Sequence, residues 1–304
     1  MTKIGLLIIC LLSGFVLRRT PYFDEQSPKV LNSLIVYFFI PVITLYQIPK
    51  IGFEWNLVWL SVTPFMVYLC SFICMKMWSR ITHADRKTEG ALIMTCGIGS
   101  TSFVGFPIFE ILYGDVGLSY GIILSLAGTI FVFNTLGLST GLYYAQQSPD
   151  YRALLKKVLT FPPLVVFFIA ILLNVLNIKM PPVADEVLGM LAAPFSVVAL
   201  LTIGMQIDLS IDRAFLRNLL AGQTFKLVIA PLIIYVFMWH ILGLQDVVAK
   251  VCILGAAIGS MNAVSIVAAQ LGLNPRLSTL MPAIGIPLSV PMLFLIDWLL
   301  SVHS

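Results

Sequence analysis

The sequence predicts an all-α integral membrane protein with ten transmembrane helices arranged as two inverted five-helix repeats. Three observations predict it. First, 59% of the 304 residues are hydrophobic and only 11% are charged, with a mean hydropathy of +0.99; a soluble domain carries about 25% charged residues. Second, apolar runs close to the roughly 20 residues that cross a bilayer recur along the whole chain. Third, two of those runs are interrupted by the same residues, Ile98-Gly99-Ser100 in one and Ile258-Gly259-Ser260 in the other.

When every face is apolar, periodicity says little, and length and punctuation delimit the elements. The first span, 4–17, lacks a small-residue cleavage site and reads as a retained membrane helix. The second, 30–48, holds Pro41, and the third is 57–78. The fourth, 89–113, is interrupted, and the fifth is 117–144. A polar linker with Pro149, 145–157, follows. The sixth is 158–178, and the seventh, 183–205, holds Pro194. The eighth is 218–242, the ninth 247–271 and the tenth 276–302. The first repeat therefore occupies 1–147 and the second 148–304.

Cation placement sets the orientation. Arg18, Arg19, Lys29, Lys76, Arg80, Arg86, Lys87, Arg152, Lys156, Lys157, Arg213, Arg217 and Arg276 collect on one side. Lys3, Lys50, Lys179 and Lys250 collect on the other. The richer side is read as cytoplasmic, so both termini face outward. The halves match at an offset near 160: Thr63 with Thr224, Met77-Trp78 with Met238-Trp239, and Leu118-Ser119 with Leu277-Ser278. Pro41 and Pro194 occupy like places and are expected to kink their spans. Five is odd, so the second copy inserts from the opposite side.

The fourth span carries Gly97-Ile98-Gly99-Ser100-Thr101-Ser102-Phe103-Val104-Gly105-Phe106-Pro107 at membrane depth. Gly99, Gly105, Pro107 and, in the ninth span, Gly259 are expected to break the helices. Irregular backbone there is tolerated only when buried in protein or lining a wet cavity. Paired interrupted spans are the best sequence pointer to a transporter's binding site.

With these residues in view, the chain resembles the auxin efflux carrier family, within a bile-acid/sodium-symporter-like superfamily. The stretch 100–107, with Tyr113-Gly114 after it, resembles the family's Asn-Thr-x-Phe-x-Gly-x-Pro and trailing Tyr-Gly; Ser100 replaces the usual asparagine. Lys226 with Pro231, and Ala269-Gln270-Leu271-Gly272, resemble further family segments. The ninth-span crossing carries Ser260, Met261 and Asn262 where the family commonly has proline. The resemblance implies a scaffold domain of spans one, two, six and seven, which also makes homodimer contacts. It implies a transport domain of spans three to five and eight to ten, with spans four and nine crossing at their breaks. It implies organic anions as substrates, malate- or malonate-like acids in bacteria and auxin-like acids in plants. The short linker resembles bacterial members, implying a bacterial inner (plasma) membrane.

Half-helix N-termini attract anions through free N–H groups. A carboxylate could sit against the backbones of 101–104 and 261–264, with Ser102 and Asn262 as side-chain donors. Ser100, Thr101, Ser260, Met261 and Ala263 complete the expected substrate contacts, and Asn134, mid-span five, either lines the cavity or bonds another helix. Lys226 lies eight positions inside span eight, about 12 Å along the axis. It could support the crossing, counter a substrate charge, or snorkel to the edge. Glu110 could carry a coupling proton or simply end a helix, while Thr44 and Gln47 could face the cavity. Gln206, Asp208 and Asp297 are read as solvated span ends.

No cofactor is expected. Cys10, Cys70, Cys74, Cys96 and Cys252 read as packing residues, and His83, His240 and His303 are too dispersed for a metal site. The Ser/His, Asp-pair or His-Glu cluster of an intramembrane enzyme is missing from the spans. The net charge of +4 sits at membrane edges and is no nucleic-acid signal. The expected function is alternating-access transport of a small organic carboxylate. The alternatives are a sodium-coupled bile-acid-type symporter and a transporter-like receptor without net flux.

Overall fold

The computed structural model describes residues 2–24, 26–52, 54–147, 156, 159–206 and 215–302. Arg152, Lys157, Arg213, Asp208, Pro149 and His303 lie outside the described residues. The described residues are helical, with one isolated β-bridge. Helices are α1 Thr2–Leu17, α2 Ser27–Lys50, α3 Trp55–Thr82, α4 Arg86–Gly97 and α5 Thr101–Tyr144. They continue as α6 Pro162–Val175, α7 Pro182–Gln206, α8 Leu216–Ile241, α9 Val247–Ala256, α10 Asn262–Gln270 and α11 Pro275–Val302.

Six of these, α2, α3, α5, α7, α8 and α11, are long and apolar enough to cross a membrane. The chain is thus a multi-pass membrane protein. Six is fewer than the ten expected segments for three reasons, the first being that α1 and α6 are apolar but only 16 and 14 residues long. The interrupted segments are divided into shorter helices, α4 and the start of α5, and α9 and α10. The fourth and fifth expected spans also join without a linker inside the 44-residue α5. Their junction is Gly114, at φ 65° and ψ −150°. That backbone is in a region β-carbon-bearing residues rarely enter, although a Cβ there would meet open space. Glycine is required for its conformation.

Three prolines inside long helices follow one device. A π-turn at Ile35–Phe39 precedes Pro41, one at Thr101–Gly105 precedes Pro107, and one at Phe225–Ile229 precedes Pro231. In each, the residue just before proline donates its N–H to the carbonyl five back: Ile40 to Ile35, Phe106 to Thr101, Ala230 to Phe225. The widened turn relieves the clash between the ring and the carbonyl four residues back. Gly105 and Pro107 therefore do not break the fourth segment, contrary to expectation; the helix has already restarted at Thr101. Pro194 does interrupt its span, at a turn between Ala192 and Phe195.

Two buried clusters organise the packing. One joins α3, α4 and α8 to α11 through residues such as Leu92, Phe225, Ile253 and Met281. The other joins α2, α6 and α7 to the middle of α5 through Phe39, Phe106, Leu126, Phe167 and Phe195. The α5 helix is where the two groups of helices meet.

Candidate functional site

The two interrupted segments meet at their breaks. Gly99 and Ser260 form an antiparallel bridge. The Ser100 N–H donates to the Gly259 carbonyl at 2.8 Å, and the Met261 N–H donates to the Ile98 carbonyl at 3.0 Å. A scrap of sheet thus satisfies backbone groups that an interrupted helix leaves open at membrane depth. The Ser260 hydroxyl adds a bond to the Thr95 carbonyl of α4. A Cβ on Gly259 would stand 2.4 Å from the Gly285 carbonyl carbon of α11, so the crossing is pressed directly onto a neighbouring backbone.

Beside the crossing is an open cavity of about 350 Å³. Met261, Asn262 and Ala263, at the N-terminus of α10, form one wall, and Asn134 of α5 forms another. No side chain caps the start of α10. Its first N–H groups therefore carry the partial positive charge of a helix N-terminus, about half an elementary charge. The remaining lining includes Lys29 and Asn32 from α2 and the rings of Tyr37, Phe103, Phe133 and Phe161. The Asn134 amide also donates to the Ile130 carbonyl at 2.8 Å.

The expected site residues thus divide. Asn134, Met261, Asn262 and Ala263 share the cavity. The hydroxyls of Thr101 and Ser102 turn instead into α5, to Thr129 at 3.2 Å and Ser125 at 2.6 Å. Ser102 is therefore not the cavity donor expected of it, and Phe103 takes the wall position beside it. Ser100 is buried and contributes its backbone to the bridge. Thr44 and Gln47 do not line this cavity either. The Thr44 hydroxyl donates to the Ile40 carbonyl, and Gln47 bonds Asp115 at 3.1 Å and Ser119 at 3.5 Å.

Lys226 is 1% exposed, so it does not snorkel. It lies in the π-turn of α8, and its Nζ comes within 3.2 Å of where a Cβ on Gly99 would be. It lines a separate small space of about 10 Å³ with Ile98, Gly99, Thr101 and Thr129. That space is about one water across.

Polar ties span the gap between the two groups of helices. The Asn262 amide donates to Gln206, whose own amide donates to Asn32 at 3.2 Å. At the opposite end, the Ser196 hydroxyl of α7 donates to Glu110 of α5, and Gln47 of α2 donates to Asp115. Gln206 is not a solvated span end but the central link of the first tie. Asp297 likewise is not simply hydrated: it accepts a hydrogen bond from the Tyr113 hydroxyl. Gln206 gave no sequence signal, because a polar residue at a span end is ordinarily hydrated.

A family model described as membrane transport protein matches residues 1–296. An uncharacterized transporter of Methanothermobacter thermautotrophicus is 23% identical over 301 residues, covering 94% of this chain and 96% of the relative. An uncharacterized transporter of Methanocaldococcus jannaschii is 23% identical over 184 residues, and this match spans 59% of each chain. The chain therefore belongs to the membrane transport protein family, the group that includes the auxin efflux carriers its sequence resembles.

Proposed function

We propose that this protein is a secondary transporter that carries a small organic carboxylate across the membrane by alternating access. The carrying observation is the N-terminus of α10 opening, uncapped, onto a cavity whose walls include the Asn262 and Asn134 amides. A carboxylate seated there accepts backbone and amide N–H bonds, with Lys29 on the same cavity wall adding positive charge. Aromatic walls on the same cavity suit an acid with an apolar body.

The architecture in this reading is ten crossings in two inverted repeats. Its support is the chain reversal at Gly114 and the matched pair of breaks at 98–100 and 257–261. The scaffold is α1, α2, α6 and α7, with homodimer contacts; the remaining helices move. The cavity opens on the basic, cytoplasmic side, next to Lys29, while Glu110 with Ser196 and Gln47 with Asp115 seal the opposite end.

Lys226 stands behind the crossing, its Nζ within 3.2 Å of where a Cβ on Gly99 would be. Uptake by purified protein in proteoliposomes tests the reading, with a panel of mono- and dicarboxylates and imposed sodium or pH gradients. Saturable carboxylate flux without sodium is expected. Flux strictly dependent on sodium favours the symporter alternative, and binding without flux favours the receptor.

A further inference from the structure

Away from the crossing, a second open cavity of about 480 Å³ lies between α3, α4 and the end of α5. Two cations line it from different helices, Lys76 near the end of α3 and Arg86 at the start of α4. Phe72, Tyr143 and Tyr144 supply rings, and Ser139 and Thr140 supply hydroxyls. Arg86 is held in place: its Nη2 donates to the Tyr143 carbonyl at 2.9 Å, and its guanidinium lies 4.7 Å from that ring's centroid. The Lys76 Nζ stands 5.2 Å over the Phe72 ring. The one carboxylate in the lining, Glu89, accepts from the Tyr144 hydroxyl. Neither cation forms an ion pair among the described residues.

The surface beside this cavity is apolar in a regular way. Leu69, Ile73, Met77 and Ile81 recur every four residues on α3, and each is more than half exposed, at 56%, 58%, 57% and 72%. In a membrane helix that row faces acyl chains. Phe72, Lys76 and Arg80 form the adjoining row. Charge and grease therefore meet along one edge, where α3 ends and α4 begins.

We propose that this cavity binds the headgroup of an anionic phospholipid, with the phosphodiester between Lys76 and Arg86 and the acyl chains along the Leu69–Ile73 row. Arg and Lys are natural partners of phosphate oxygens, and basic pockets between membrane helices on the cytoplasmic side hold such headgroups. A free phosphate would use the cations but leave the rings and the apolar row unoccupied. The inference does not depend on which substrate is carried.

Native mass spectrometry of the purified protein tests it, using phosphatidylglycerol, phosphatidylcholine and glycerol phosphate as probes. Wild type is expected to retain phosphatidylglycerol over phosphatidylcholine by about 10-fold or more, each cation contributing about 5-fold. The variant Lys76→Gln/Arg86→Gln should lose that preference, and Lys250→Gln should keep it. If the double variant does not fold, Lys76→Gln alone should lower the preference about 5-fold. Equal retention of the two lipids by wild type, or an unchanged preference in the Lys76 variants, overturns the proposal. Displacement of phosphatidylglycerol by equimolar glycerol phosphate overturns the lipid assignment in favour of a soluble anion.

Discussion

Two side chains at the crossing separate binding from movement. Asn262 lines the larger cavity, so Asn262→Ala should weaken carboxylate binding while the protein stays folded. A hydrogen bond to a charged group is worth about 1.5–3 kcal/mol, which is roughly 10–100-fold in Kd. Calorimetric titration checks this, and wild-type affinity in the variant counts against the site. Lys226 lies outside that cavity, behind the bridge. Lys226→Ala should therefore abolish flux yet leave the carboxylate Kd within about threefold, under ~0.7 kcal/mol. Unchanged flux would remove Lys226 from the mechanism. The polar residues at the break were legible because glycine and serine are poor helix material in an apolar run. Their aim was not. Ser102 and Thr101 face hydroxyls on the far limb of α5, and only the hairpin at Gly114 brings those limbs together.

At the scale of elements, the matched breaks stand out in the sequence because Ile-Gly-Ser appears in two apolar runs at the offset near 160 that relates the halves. The cavity's aromatic walls did not, since Phe103, Phe133 and Phe161 look like any lipid-facing or packed phenylalanine. The helices also predict an order of glycine sensitivity. Gly114→Ala forces a side chain that has space into a backbone region essentially reserved for glycine, costing about 1–3 kcal/mol. Gly259→Ala drives a methyl group into the α11 backbone, which cannot give way as a side chain can. Thermal melting in detergent should place Gly259→Ala well below Gly114→Ala, and the reverse order would contradict the packing of the crossing on α11. The tie from Asn262 through Gln206 to Asn32 gives a further test. A carboxylate that takes the Asn262 amide must compete with Gln206. Gln206→Ala should therefore tighten carboxylate binding, read by the same titration; weaker binding would mean Gln206 contacts the substrate instead.

For the whole molecule, composition alone made the membrane setting legible, and the paired breaks made the transporter class legible. The number of independent helices was not, because a tight glycine reversal joins two expected spans into α5 and the breaks divide others. The cation distribution predicts both termini outside the cytoplasm. Labelling of single cysteines placed at the N-terminus and near Ser301, in intact cells with a membrane-impermeant reagent, should modify both. Protection of either would reverse the orientation. The claim on which the mechanism rests is that the uncapped start of α10 holds the acid. A structure determined with saturating carboxylate tests this most directly. The account predicts the carboxylate within hydrogen-bonding distance of the Asn262 amide and the 262–264 backbone, with Gln206 displaced. A carboxylate found elsewhere, with the bond from Asn262 to Gln206 intact, would contradict it.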